Sequence, residues 1–261
     1  MKKKPLVIAI LAKSVGHILP FYLDSLLAQT EISSDTIFYI RTNDNNDDTS
    51  EVLRDFYKKY KWKYKIYLDD SSIDSNLIST GNHDWNVNRF KILGKIRQNS
   101  CDFALSEGAD YFIADCDNIC LPHTINAIRS TGFDVVAPLL KTPNLYSNYH
   151  SSIDQNGYFK ESPEYHYILN QTCKGLIEVP VVHCTYYIAN KALDKIVYDD
   201  NSGRYEYVIF SDNLRKNEIK QYIDNREIYG RIFWSSNIDE FNDEMLISEH
   251  CQLRNTIKKS I

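Results

Sequence analysis

The chain has 261 residues, enough to bury one sizeable core, and 43% of them are hydrophobic against 25% charged, the balance of an ordinary globular protein. A formal charge of −5 argues against a nucleic-acid binder, because neutralising phosphates takes an excess of Lys and Arg. No stretch approaches the ~20 apolar residues of a membrane span, and the six cysteines follow no CxxC or zinc-like spacing, so they read as mostly reduced, buried thiols.

Lys2, Lys3 and Lys4 precede an apolar run over residues 5–12. That run is short, turns polar at Lys13 and has no small-residue cleavage site after it. It reads as a core strand over 6–11 and not as a secretory leader, which favours the cytoplasm over the lumen of the endoplasmic reticulum. Pro20 then opens a helix whose apolar face carries Phe21, Leu23, Leu26 and Leu27. A second strand over 36–40 runs into a polar loop over 42–47. Asp48, with Glu51 three residues on, predicts a capping box for the next helix. A third strand over 65–68 leads into a Ser/Asp/Asn-rich loop over 69–84. The longest helix spans 88–107 and stops at Gly108, and the strand over 111–114 terminates in Asp115.

Strands alternating with helices predict one α/β domain over 1–261, with a mainly parallel mixed sheet covered on both faces. The second half is less regular, with strand-like runs over 135–139 and 179–189 and a helix over 205–216. There is no internal repeat. Ligands of such sheets bind beyond the carboxyl ends of the strands, where the polar residues Lys13, Asn43, Asp44, Asp115 and Asp117 converge.

Asp115 and Asp117 are two carboxylates one residue apart at the end of a buried strand. Both reach a hard divalent cation, Mn²⁺ or Mg²⁺, whose other face takes diphosphate oxygens. Arg97, on the long helix, suits phosphate through its two-pronged guanidinium. His183 sits in an apolar run, where a histidine is a core residue, a metal contact or an acceptor contact. Glu206 and Asp212 share one helix, and each is a candidate general base; Glu227 is a late carboxylate that folds back toward the same place.

The stretch ADYFIADCDNICLP over 109–122 resembles the "GADYILFADTDN" region of the procollagen galactosyltransferases, glycosyltransferase family 25. AILAKSVGHILPFYLDSL, TNDNNDDTSEVL, VVAPLLKTPNLYSNYHSSIDQNGYF and VPVVHCTYYIA follow the family in the same order. The resemblance implies a GT-A fold, a UDP-sugar donor, Mn²⁺ on Asp115 and Asp117, and inverting transfer to hydroxylysine of collagen-like protein. Where the family carries "DDIIVF" this chain reads Tyr205 to Phe210, which makes Glu206 the base. Where it carries "NEHRYG", Glu227 replaces the histidine and becomes a third metal ligand. Ala12, Lys13, Asn43, Arg97, Asp115 and Cys116 then hold the nucleotide, with Asn148, His183 and Asp212 on the acceptor side. A glycan acceptor, a non-catalytic UDP- or partner-binding module, and a homo-oligomeric state stay open. The few glycines, nineteen tyrosines and abundant Asn, Lys and Ile point to an AT-rich coding source such as a large DNA virus.

Overall fold

A computed structural model describes residues 3–73 and 87–261. The predicted loop over 69–84 therefore falls largely outside the described residues. The first half runs β1 (Leu6–Ala12), α1 (Leu19–Leu27), β2 (Thr36–Thr42), α2 (Thr49–Tyr60), β3 (Lys65–Asp69), α3 (Val87–Ser106) and β4 (Asp110–Ala114). There follow β5 (Asn118–Cys120), α4 (Thr124–Arg129), β6 (Val135–Pro138), β7 (Leu140–Lys141), β8 (Tyr149–His150), α5 (Pro163–Leu169), β9 (Leu176–Val179), β10 (Val181–Val182) and β11 (Thr185–Ile188). A 3₁₀ turn over Asn190–Lys195 leads to α6 (Glu206–Lys216), β12 (Gln221–Asp224), β13 (Gly230–Ile232), α7 (Ile238–Glu244) and α8 (Ser248–Lys258).

Eight strands form the main sheet, in the order β3-β2-β1-β4-β11-β6-β12-β9. β3, β2, β1 and β4 are mutually parallel, as is β12 with β6; β11 runs antiparallel between β4 and β6, and β9 antiparallel at the edge. The mixed sheet matches the prediction. Strand periodicity divides the core in two. Ile8, Ile10, Phe38, Ile40 and Phe112 face one apolar cluster with Leu23 and Leu26 of α1 and Leu253 of α8. Val7, Ala9, Tyr111, Ile113 and Ala137 face the other, with Cys101 and Ala104 of α3 and Phe210 of α6. Among the described residues no helix is long and apolar enough to cross a membrane, and all six cysteines are free thiols.

Two expectations need correction. The run over 179–189 is not one strand. Pro180 separates β9 from β10, and a turn at Cys184, φ +61°, separates β10 from β11. The three pieces pair with β12, β8 and β4 respectively. The capping box at Asp48 does not form either, since that side chain makes no cap bond. Asp47 does the work: its Oδ1 accepts from the Thr49 amide at 3.0 Å and its Oδ2 from the Gly16 amide at 2.8 Å. Together with Asn45, which accepts from the Ser14 amide at 2.7 Å, it ties the loop after β2 to the loop after β1.

Candidate active site

The site begins at the carboxyl end of β4. The register sets Thr185 of β11 opposite Ala114, so the turn before β11 lies against the residue that follows β4. In that turn the Thr185 amide donates to the His183 carbonyl at 2.6 Å, closing a three-residue turn around Cys184. A non-glycine residue at positive φ is uncommon and strained. Its carbonyl accepts the Asp115 amide at 3.0 Å, so the strained turn fixes the backbone of the first aspartate. The Tyr22 hydroxyl donates to the Ala114 carbonyl at 2.7 Å, and the Asn118 side chain donates to Thr185 Oγ1 at 2.8 Å. Asp117 is held through its carbonyl, which accepts from the Phe233 amide at 2.9 Å. The Asp-Cys-Asp turn is thus braced from β11, α1 and the segment after β13.

Arg97, projecting from α3, connects the two halves of the site. Its Nη2 donates to Asp115 Oδ1 at 2.8 Å, and its Nε lies 3.4 Å from Glu206 Oε1. Glu206 opens α6 and is only 6% exposed. Burial raises its carboxyl above the ordinary value, and the Arg97 guanidinium pulls it back down. Arg97 Nε and Nη1 are buried with no hydrogen-bond partner. Buried guanidinium donors are costly to leave unmade, and the Glu206 carboxylate at 3.4 Å offsets part of that cost at Nε.

Asp117 keeps an exposed surface that water or a cation can reach. Crowding by the surrounding chain, then repulsion from Asp115 and Glu244, raise its carboxyl above the ordinary carboxylate range. The direction is what the chemistry uses: a carboxyl raised by neighbouring negative charge is one that a bound cation would relieve. Arg97 offsets the charge of Asp115 alone, and the remaining charge on the exposed Asp117 suits a divalent ion on hard oxygen ligands.

The remaining predicted residues divide. On the nucleotide side, Ala12 ends β1 and Asn43 follows β2, both buried, and the Asn43 amide donates to Asp44 Oδ2 at 3.1 Å. A hydrogen bond from the Ile73 amide lowers the Asp44 carboxyl, helped by the nearby Lys13 charge. The Cys116 thiol contacts the Leu11 carbonyl at 3.6 Å and locks the aspartate turn against the end of β1. Ala12, Lys13, Asn43, Asp115 and Cys116 therefore share one sheet edge. Glu227 does not join them. It is exposed, and its Oε2 sits 3.0 Å from His123 Nε2. Among the described residues no group of three or more His, Cys, Asp or Glu is gathered to hold a metal.

On the acceptor side, His183 is buried, its Nδ1 2.9 Å from Cys184 Sγ and its ring against His150, Tyr146 and Tyr207. Asn148 is fully buried and spent on the backbone, donating to the carbonyls of Pro138 at 2.9 Å and Thr185 at 3.2 Å. It braces the site and has no donor left for a substrate. Asp212 lies six residues beyond Glu206, about 240° round the helix. There it pairs with Arg204 at 3.0 Å, Lys216 at 3.1 Å and Arg215 at 3.4 Å, facing away from Glu206. Sequence reasoning missed Glu244, whose carboxylate accepts from the Trp234 and Ser235 amides at 2.8 and 3.2 Å and adds negative charge near Asp117. It stands on α7, which carried no periodic signal.

Two predictions arise here. Burial lowers the His150 imidazole from 6.5 to about 4. Below pH 6.5 the unfolded chain takes up a proton that the folded chain refuses until near pH 4, so stability falls across that window. Between pH 7 and pH 5 the loss from this group is about 2 kcal/mol. Urea titrations at the two pH values should show it, and His150→Phe should flatten the slope. The second concerns Gly94 of α3, where an added Cβ would lie 2.8 Å from the Tyr198 carbonyl oxygen and 3.6 Å from Glu206 Cβ. A backbone carbonyl cannot rotate aside, so Gly94→Ala should move α3 off α6. We expect a net stability loss of about 1 kcal/mol, after the helix gain, and roughly a tenfold fall in turnover.

The model for the N-terminal domain of glycosyltransferase family 25 matches residues 3–246. Human procollagen galactosyltransferase 2 is 29% identical over 242 residues, covering 88% of this chain and 38% of the relative. The human inactive glycosyltransferase 25 family member 3 is 30% identical over 199 residues, covering 71% of this chain and 32% of the relative. The chain thus spans well under half the length of these relatives. Among solved structures, Staphylococcus aureus TarS 1–349 in complex with UDP-GlcNAc superposes with a TM-score of 0.58 at 16% identity, covering 90% of this chain and 59% of that one. That likeness establishes the GT-A fold.

Proposed function

The chain belongs to glycosyltransferase family 25, and from that premise we propose that it moves a hexose, galactose before glucose, from a UDP-sugar to hydroxylysine of a collagen-like protein. The observation that carries this reading is the Asp115–Arg97–Glu206 chain of charges, which joins the strand-end carboxylate pair to a buried carboxylate at a helix start. Asp115 and Asp117 would hold Mn²⁺ or Mg²⁺, which when bound neutralises the charge growing on the leaving diphosphate. Lys13, Asn43 and the Arg97 guanidinium orient the nucleotide and its phosphates. Glu206 takes the acceptor hydroxyl's proton as that oxygen attacks the anomeric carbon from the face opposite UDP, and the configuration inverts. Burial makes it a better proton acceptor than a surface glutamate, and Arg97 keeps it ionised and aimed.

A second reading rests on a specific comparison, since an inactive family member is as similar to this chain as an active one. In it the domain binds a UDP-sugar or a partner without transferring. One assay separates the readings: UDP release over a panel of donors, with and without Mn²⁺, offered a collagen-like peptide and a glycan. Release that requires the peptide supports the first reading. Binding of UDP by calorimetry with no release under any pairing supports the second, and release that requires the glycan changes the acceptor alone.

A further inference from the structure

A basic face lies at the end of the sheet opposite the carboxylate site. α2 ends at Tyr60 and β3 begins at Lys65, so residues 61–64 round the amino-terminal edge of the parallel strands. The site lies past the carboxyl-terminal edge of the same strands. Cations and rings alternate through this turn: Lys59 over Tyr60 at 5.1 Å, Lys61 over Trp62 at 5.0 Å, and Lys63 over Tyr64 at 5.0 Å. Trp62 is 86% exposed, the most exposed large hydrophobic side chain among the described residues. Lys58 stands beside them, 70% exposed and paired only with the neighbouring Asp55. Lys258 of α8 reaches the same region, since it and Lys59 both act on the Asp24 carboxylate of α1. A chain with net charge −5 gathers four lysines, Lys58, Lys59, Lys61 and Lys63, in the six residues around one exposed indole here, with Lys258 near Lys59, and nothing in the proposed chemistry uses them.

We propose that this face docks the protein peripherally on an anionic lipid bilayer, with Trp62 entering the headgroup region and the lysines drawn to the lipid charge. An indole with an apolar body and one N–H sits best where hydrocarbon meets water, and lysines close to it add electrostatic attraction. The surface suits a bilayer better than a nucleic acid. Tyr64 is buried and Tyr57 and Tyr60 half-buried, so one ring of this turn is free, whereas base stacking needs successive exposed rings. The cations surrounding it are point-charge lysines, which follow a diffuse field and do not clamp phosphates in pairs. Docked this way, the carboxylate site faces away from the lipid and stays open to a substrate in solution.

Sedimentation with vesicles tests it. The wild-type chain should pellet with phosphatidylcholine vesicles containing phosphatidylserine, and stay in the supernatant with phosphatidylcholine alone or in high salt. Lys59→Glu/Lys61→Glu/Lys63→Glu should lower the partition roughly a hundredfold, and Trp62→Ala several-fold. Both variants alter exposed side chains and should keep the wild-type circular dichroism spectrum and UDP affinity, which separates this outcome from failure of the transfer reading. No binding to the anionic vesicles overturns the proposal, as does equal binding by wild type and triple variant. Retention on a single-stranded oligonucleotide without vesicle binding also overturns it, and puts a nucleic acid in the lipid's place.

Discussion

Glu206→Gln should reduce turnover by about two to four orders of magnitude while the protein stays folded and binds UDP as before. The change removes a proton acceptor and almost no volume. Arg97 keeps its 2.8 Å partner in Asp115, so the guanidinium is not stranded. In the proposed arrangement Asp115 and Asp117 hold the diphosphate through the cation and Glu206 does not touch it, so donor affinity should change less than threefold. A single-turnover measurement of UDP release, with calorimetry for affinity, checks both halves. If turnover stays within tenfold of wild type, the base is another residue and Glu206 serves Arg97 as a structural partner.

Removing the guanidinium has the other large effect. In Arg97→Met, Asp115 and Glu206 lose the cation between them, and Glu206 is left with 8% of its side chain in water and no countercharge. Breaking a buried pair from one side is expensive; with Asp115 partly solvated we expect about 3 kcal/mol of lost stability. Arg97 lowers the Glu206 carboxyl that burial raises. Without it the carboxyl rises further, the base is protonated over a wider range, and the acidic limb of the pH–rate profile should move up. A purely structural role for Arg97 would lower stability and rate without moving that limb. Arg97→Lys should restore part of the stability and shift the limb back.

The first half of the chain could be read closely because its strands are continuous apolar runs, each ending in polar residues at the same sheet edge. The Asp pair was visible for the same reason: Ala114 is the last buried residue before Asp115. Legibility fails where a residue's partner is far away in sequence. Asn148 is a polar side chain among polar neighbours, and only the fold shows its amide tied to Pro138 and Thr185. Asp212 shares a helix with Glu206, yet the helical angle carries it to Arg204. The strand-like run over 179–189 concealed the Cys184 turn, because no glycine or asparagine marks the left-handed position. Glu227 sits near His123 and away from the pair, so the late segment that reaches Asp117 is instead the one carrying Phe233, Trp234 and Glu244.

The bond between Asp117 and a cation bears most of the proposed chemistry, and titration of UDP in the presence and absence of Mn²⁺ examines it without any acceptor. Wild-type chain should bind UDP at least about tenfold more tightly with Mn²⁺ than without it, and the Mn²⁺ gain should shrink as pH falls, because the raised Asp117 carboxyl takes up a proton that competes with the ion. Asp117→Ala should bind UDP equally with and without the metal. A Mn²⁺ gain that survives intact in Asp117→Ala would contradict the assignment of the ion to this carboxylate pair.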